Sequence, residues 1–361
     1  MLNKLMGKKE DSLRRQGIRE DKLLAGPETV KFLVTNKCNL GFLYCWHHSP
    51  LNPKRDAGKR EELDFDVFKR AIDDCRALGT EWIHFAGRGE PTLHPKINEM
   101  IRHVKKNGMK VRLLTNATFG KSFWPIAKLV DYFSIDLSAH NAEMYKKMQS
   151  TGRVNYFSNV VENISYLSDL KRSMLRPFFL QVDHILNKLN HRDLGAFFAF
   201  AAELGVDRLN IVNFRDSLFN KSLNLSDKDV ERVKKGLLSS AKTTPAILKT
   251  SSNILENLLK RKQLLSLSKP GKAGVKACYR GWYFVAVGTN GDVSPCTGLL
   301  GPLKAGNIYE TPLRKIWSSD KFHRMRLEGK YHLFHNKYDD CLSCCCETLN
   351  KDVRRDLKKA F

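Results

Sequence analysis

No run of apolar residues in this chain approaches the roughly 20 that a helix needs to cross a bilayer. The start, MLNKLMGKKEDSLRRQG, has neither the apolar stretch nor the small-residue cleavage site of a secretory signal. Together these absences argue against export and predict a cytoplasmic protein. Internal repeats and long low-complexity tracts are also missing. Acidic residues are in deficit: 38 Asp and Glu against 62 Lys and Arg give a formal charge of +24. Such a balance attracts phosphates, nucleic acid or an anionic membrane surface without selecting among them. The basic residues are spread along the chain, with slight concentrations at Lys8, Lys9, Arg14 and Arg15 and at Arg354, Arg355, Lys358 and Lys359.

What is present bounds the class. At 361 residues and 42% apolar composition the chain can bury a barrel-sized core and a smaller second one. Nine cysteines in a reducing compartment read as metal ligands, catalytic thiols or core residues before disulfides. Their clustering favours metal.

From about residue 30 to 214, short β-branched or aromatic runs alternate with amphipathic segments, the pattern of βα units. The predicted strands are Val30–Thr35, Trp82–Ala86, Val111–Thr115, Tyr132–Leu137, Phe178–Ile185 and Leu209–Phe214. Between the first two, Asp64 can cap a helix that carries Phe68, Ala71, Ile72, Cys75 and Leu78 on one face and closes at Gly79. Cys75 is therefore predicted to be a buried core residue. Helices at about 96–107, 157–171 and 191–204 repeat the pattern. Six such units predict an α/β fold, a partial (β/α)6 TIM-like barrel with its functional loops at the C-terminal strand ends. The predicted organisation is a basic N-terminal extension over 1–29, the barrel over 30–224, a Lys- and Ser-rich helical bridge over 225–272, a small Cys-rich β-hairpin/α auxiliary domain over 273–350, and a basic tail over 351–361.

The first strand is followed by Cys38-Asn39-Leu40-Gly41-Phe42-Leu43-Tyr44-Cys45. The second is followed by Gly87-Arg88-Gly89-Glu90-Pro91, and the third ends Thr115-Asn116-Ala117. In this order the three segments resemble the radical S-adenosylmethionine (AdoMet) superfamily, whose loop reads Cys-x3-Cys-x2-Cys, and the resemblance covers roughly residues 30–214. It implies a [4Fe–4S] cluster on the loop cysteines, AdoMet chelated to its fourth iron, and one-electron cleavage to a 5′-deoxyadenosyl radical that abstracts hydrogen from a substrate. Cys38 and Cys45 match family ligands, and Tyr44 matches the aromatic position near adenine. Position 42, where the middle thiolate belongs, is phenylalanine, and a phenyl ring offers iron nothing comparable to sulfur. His47 and His48 could in principle substitute as ligands but read more simply as loop residues.

By the same resemblance the backbone or carboxylate of Gly87, Gly89 and Glu90 receives the methionine ammonium. Asn116, Ser134 and Asn187 are candidate AdoMet contacts, as are Asp136 and His184, which are also substrate-site candidates; the alternative for each is a strand-end hydrogen bond.

A second cluster of thiols lies C-terminal. Cys278 and Cys296 flank β-rich runs joined by the hairpin dipeptide Asn290-Gly291, and Cys341-Leu342-Ser343-Cys344 adds a tight pair. Four thiolates suit a [4Fe–4S] cluster or Zn²⁺. The segment resembles the auxiliary domain called SPASM in its longer form and twitch in its shorter one. The resemblance implies the short form, with one cluster on Cys278, Cys296, Cys341 and Cys344. Cys345 or Cys346 could replace Cys344. Iron–sulfur is favoured over zinc because of the barrel in front.

Three functions follow: a radical AdoMet enzyme despite Phe42, a catalytically silent relative that binds AdoMet or metal, or a basic RNA-binding adaptor on the same fold. The resemblance implies an electron donor such as flavodoxin or ferredoxin. The positive charge favours a phosphorylated or nucleotide-like substrate, and the longer auxiliary forms imply a peptide as the alternative.

Overall fold

In a computed structural model, the structure describes residues 2–53, 61–213, 219–243, 277–331, 341 and 347–358. The six predicted strands form, as β1 (Thr29–Leu33), β2 (Trp82–Ala86), β3 (Lys110–Thr115), β4 (Tyr132–Asp136), β5 (Phe179–Leu186) and β6 (Arg208–Asn213). Each is parallel to its neighbour. The intervening helices include α2 (Phe65–Ala77), α3 (Ile97–Lys106), α6 (Phe157–Ser173) and α7 (Leu194–Glu203), with the short α4 (Trp124–Ala127) and α5 (Ala142–Tyr145) between. Asp64 caps α2 by accepting from the Val67 amide at 2.9 Å, and Gly79 closes it at φ +71°. Cys75 is fully buried, as expected.

Alternate strand residues divide the sheet into two faces. Phe32, Phe85, Val111, Phe133 and Val182 belong to one continuous buried cluster with Phe68, Met100 and Ile164 of the helices. Phe68 bridges Phe32 and Phe85 at ring separations of 5.0 and 5.7 Å. The opposite face, which carries Lys31, His84, Arg112, Ser134 and Asp183, is the inside of the partial barrel.

The C-terminal part does not stand apart. β7 (Phe284–Val287) pairs parallel with β1, and β8 (Asp292–Ser294) returns antiparallel across the Asn290-Gly291 turn. With β9 (Gly306–Asn307) they complete a single nine-stranded sheet of order β6-β5-β4-β3-β2-β1-β7-β8-β9. Gly291, at φ +81°, supplies the left-handed turn conformation that the dipeptide predicted.

The N-terminal extension is largely the helix α1 (Leu2–Glu20). Ile18 is buried with Trp282, Tyr283 and Val353, so this helix, the β7 approach and the helix Glu347–Lys358 share a small core. Arg14 donates to the Gly26 carbonyl at 2.8 Å. The bridge begins as the helix α8 (Asp227–Thr243), while the rest of the expected bridge lies outside the described residues. Among the described residues no helix is long and apolar enough to cross a membrane.

Candidate functional site

The C-terminal ends of β1 to β5 bring the predicted barrel residues to one end of the sheet. The cysteine loop after β1 is held by hydrogen bonds that need no metal. Leu43 and Gly41 donate backbone amides to Met148 and Gln149 carbonyls at 2.9 and 3.3 Å. Arg153 donates to the carbonyls of Cys38 and Leu40 at 3.0 and 3.3 Å. Asn39 joins the loop to β3: it accepts from Asn116 Nδ2 at 3.0 Å and donates to Thr118 Oγ1 at 2.8 Å.

Cys38 and Cys45 lie near enough for their charges to interact. Burial pushes the Cys38 thiol up to about 12, with Glu90 and Cys45 adding to the shift. Cys38 is therefore a neutral thiol until a cation draws off its proton. Cys45 Sγ accepts from the backbone amides of His47 and His48 at 3.4 and 3.3 Å. These two backbone donors hold the sulfur in place at the end of the loop. Phe42 occupies the middle position, its ring 5.2 Å from that of Tyr44. The two aromatics pack with Leu43, Ile185, Leu189 and Leu223. Among the described residues no three His, Cys, Asp or Glu side chains converge to hold a metal.

The Gly87–Glu90 segment has a tighter structural role than ligand approach alone. A Cβ on Gly89 would lie 2.0 Å from the Lys37 carbonyl oxygen, and one on Gly87 would lie 2.4 Å from that of Gly89. The glycines thus let this loop press against the chain leaving β1, where Gly89 and Glu90 donate amides to Thr35 and Lys37 carbonyls at 3.1 and 2.8 Å. Glu90 is buried. Its Oε1 accepts from Thr115 Oγ1 and Thr92 Oγ1, both at 2.7 Å, and from the Thr92 amide at 3.1 Å. Its Oε2 accepts from the Asn116 amide at 2.7 Å. Burial pushes its pKa up and these donors pull it back.

Tyr44 donates to Asp136 Oδ1 at 3.0 Å and sits 3.1 Å from Ser138 Oγ. Burial, and then the charge of Asp183, push the Asp136 carboxyl up to about 8. Ser134 donates to Asp183, which also accepts from Gln181 at 2.7 Å and Asn210 at 2.6 Å. Asn187 is buried and bonds locally, to the Ile185 carbonyl at 3.0 Å and from the Leu189 amide at 2.9 Å. His184 departs from the expectation of a substrate-site residue. The strand alternation turns it to the helix face, its ring 4.0 Å from Phe197, and burial pushes its pKa down to about 3.

In the auxiliary region Cys278, Cys296 and Cys341 are half-buried against the core. Cys344, Cys345 and Cys346 lie outside the described residues. The supports Gln149, Thr151, whose hydroxyl donates to the Gly41 carbonyl, and Arg153, all from the segment between α5 and α6, were not anticipated, and no spacing rule marks them. The polar inner-face residues Lys31, His84 and Arg112 were also passed over. Their signal was present, since each is one polar residue between two apolar ones in a strand.

A partial parallel barrel with a paired-cysteine loop at its mouth, joined to a Cys-rich hairpin, defines an iron–sulfur protein class. Residues 32–183 match the Radical SAM superfamily model, and residues 278–345 match SPASM, the iron-sulfur cluster-binding domain. The chain belongs to the radical SAM superfamily and carries a C-terminal SPASM-type domain.

It is 28% identical over 323 residues to the AdoMet-dependent heme synthase of Methanosarcina barkeri, covering 84% of this chain and 87% of that protein. It is 24% identical over 337 residues to the tungsten-containing aldehyde ferredoxin oxidoreductase cofactor-modifying protein of Pyrococcus furiosus, covering 87% of each. Among solved structures, AdoMet-bound anSMEcpe superposes with a TM-score of 0.62 at 17% identity, over 89% of this chain and 86% of that one. Streptococcus suis SuiB bound to S-adenosylmethionine gives 0.62 at 16% identity, over 86% and 70%. At these identities the likeness is one of fold.

Proposed function

We propose that this protein retains the AdoMet and substrate cradle of its family while its own loop supplies two of the three thiolates of the barrel cluster, so that reductive cleavage of AdoMet is slow or absent. The observation that carries this reading is Phe42. Its ring fills the third ligand position against Tyr44, while the hydrogen bonds that shape the loop around it are all made. The residues present do not complete a three-thiolate site, and no reaction step is assigned to it.

Tyr44, Gly87, Gly89, Glu90, Asn116, Ser134 and Asn187 form or support the proposed AdoMet site. For Gly87, Gly89, Glu90 and Asn116 the support is structural: they fix the loop against β1 and β3. Tyr44 and the Asp136–Asp183 pair lie between the cysteine loop and the barrel interior. Cys278, Cys296, Cys341 and Cys344 are assigned one auxiliary [4Fe–4S] cluster on the chemistry of an all-thiolate donor set. A flavodoxin or ferredoxin would be its electron partner.

The test is anaerobic reconstitution of the natural protein and of Phe42→Cys, with iron, sulfide and 5′-deoxyadenosine measured under dithionite. The variant should gain about four iron atoms per chain, one cluster, and cleave AdoMet well above the natural protein. Equal cleavage by both would sink the proposal and make His47 and His48 the first positions to replace.

A further inference from the structure

The segment that shapes the cysteine loop also carries a buried hydroxyl with nothing to bond. The short helix α5 starts at Asn141, whose side chain accepts from the Met144 amide at 2.9 Å, and runs directly into a single π turn, Lys146–Ser150. Such turns are rare and concentrate at functional sites. Its Met148 and Gln149 carbonyls take the Leu43 and Gly41 amides of the cysteine loop. The Gln149 side chain ties the same turn to the end of β4, accepting from the Ser138 amide at 2.9 Å and donating to the Asp136 carbonyl at 3.2 Å. Tyr145, the last residue before the turn, is thereby fixed between the loop and β4.

Tyr145 is fully buried, with its ring packed beside Phe157 at a centroid separation of 5.8 Å. Its hydroxyl has no hydrogen-bond partner among the described residues. Burial pushes the pKa of this phenol up, and the charges of Asp136, Cys38 and Glu90 add to the rise in that order. The hydroxyl therefore lies amid the cysteine loop, the Gly87–Glu90 segment and the end of β4. The polar groups around it are already matched: Glu90 takes four hydrogen bonds, and Tyr44 donates to Asp136. A buried hydroxyl without a partner costs about 1–3 kcal/mol. Phenylalanine would fill the same space without that penalty. One unmatched hydroxyl among matched neighbours marks where a ligand atom belongs.

We propose that Tyr145 is a direct AdoMet contact, its hydroxyl hydrogen-bonding the ligand in the chamber bounded by Cys38, Glu90 and Asp136. Acid groups on three sides suit a ligand that offers a cation or hydroxyl groups, and AdoMet offers both. The assignment rests on the reading of the barrel as an AdoMet cradle. It needs no thiolate at position 42 and no cluster, because the phenol addresses the ligand itself.

The test is calorimetry with AdoMet and with S-adenosylhomocysteine on the full-length natural protein, Tyr145→Phe and Tyr166→Phe, with urea unfolding of each. Tyr145→Phe should weaken AdoMet binding about three- to tenfold, the worth of one neutral hydrogen bond. Its urea midpoint should equal or exceed that of the natural protein, since the lost hydroxyl bonds nothing in the free chain. Tyr166→Phe, whose ring stacks on Trp124 in the helix layer, should leave the affinity unchanged. A loss shared by both ligands places the bond at a group they have in common, and a loss with AdoMet alone places it at the sulfonium. Unchanged AdoMet affinity in Tyr145→Phe overturns the proposal. So does a Tyr145→Phe protein that is less stable or fails to fold, because the hydroxyl then has a partner in the free protein. Absence of AdoMet binding by the natural protein sinks the cradle reading and this contact with it, a result distinct from unchanged affinity in the variant.

Discussion

Removing the Glu90 carboxylate in two ways separates a structural tie from a ligand. In the natural protein its two oxygens take four hydrogen bonds, three on Oε1 and one on Oε2. Glutamine keeps the shape but has one accepting oxygen. With that oxygen toward Thr92 and Thr115, three bonds survive, and the amide NH2 faces the Asn116 N–H, donor against donor. One buried N–H is then left unpaired, about 1–3 kcal/mol. Relief from burying a charge offsets part of that, since burial already pushes the Glu90 pKa up. Glu90→Gln should therefore cost about 1–2 kcal/mol. Glu90→Ala strands every donor and opens a cavity, for about 3–5 kcal/mol. Urea unfolding followed through the barrel's own transition gives the stabilities, and calorimetry with AdoMet gives the binding. If the carboxylate acts as a tie, AdoMet affinity should fall in step with stability, modestly in the glutamine variant and strongly in the alanine variant. Full stability in Glu90→Ala with AdoMet binding lost would refute the tie and make Glu90 a direct ligand. AdoMet binding unchanged in Glu90→Ala would remove the segment from the cofactor site.

Gly89→Ala places a methyl 2.0 Å from the Lys37 carbonyl and 2.6 Å from adjacent backbone carbons. It should destabilise the barrel by about 3 kcal/mol or more, and a urea midpoint within error of the natural protein would refute that fit. Asp136 is a carboxyl whose folded pKa, about 8, lies above its ordinary 3.8. Its contribution to stability is therefore greatest at acid pH and falls as pH rises from about 4 to 8, on the order of a few kcal/mol at most. Asp136→Asn should flatten the stability slope between pH 5 and 8, and parallel slopes for the two proteins would show that the carboxyl ionises freely. The double variant Cys278→Ala, Cys296→Ala should lose most iron after reconstitution while Cys38→Ala loses little. Equal losses would contradict an auxiliary cluster that assembles independently.

Local chemistry was what the sequence made legible. Trp82–Ala86 is a strand because β-branched and aromatic residues alternate there, and it forms over the expected residues. Asp64, Gly79 and Gly291 sit where a cap, a helix stop and a hairpin turn demand them. Long-range pairing was not legible. Nothing in Phe284–Val287 announces that it joins β1, because parallel pairing across some 250 residues leaves no local pattern. The charged α1 reads as a basic extension, while Arg14, Gly17 and Ile18 are buried among its described side chains. At the site, residue types were legible and their partners were not. Gly89 was expected to make room for a ligand, and it makes room for the Lys37 carbonyl. Asn116 was expected to contact AdoMet, yet its side chain bonds with Asn39 and Thr118.

Those same partners hold the cysteine loop in shape without a thiolate at position 42. The cysteine loop is tied by Arg153, Gln149, Met148 and Asn116 through bonds to backbone and amide groups, none of which involves position 42 or a metal. The phenyl ring of Phe42 packs on Tyr44 and the small apolar cluster it forms with Leu223, so its presence stabilises the loop locally instead of straining it. A cluster in an intact relative would add binding energy to a loop of this kind, while the loop's shape here comes from the surrounding hydrogen bonds. A thiolate at position 42 would therefore change the chemistry of the loop more than its structure. The cost of restoring it is set by how the apolar pocket around Phe42 refills, not by refolding of the barrel mouth.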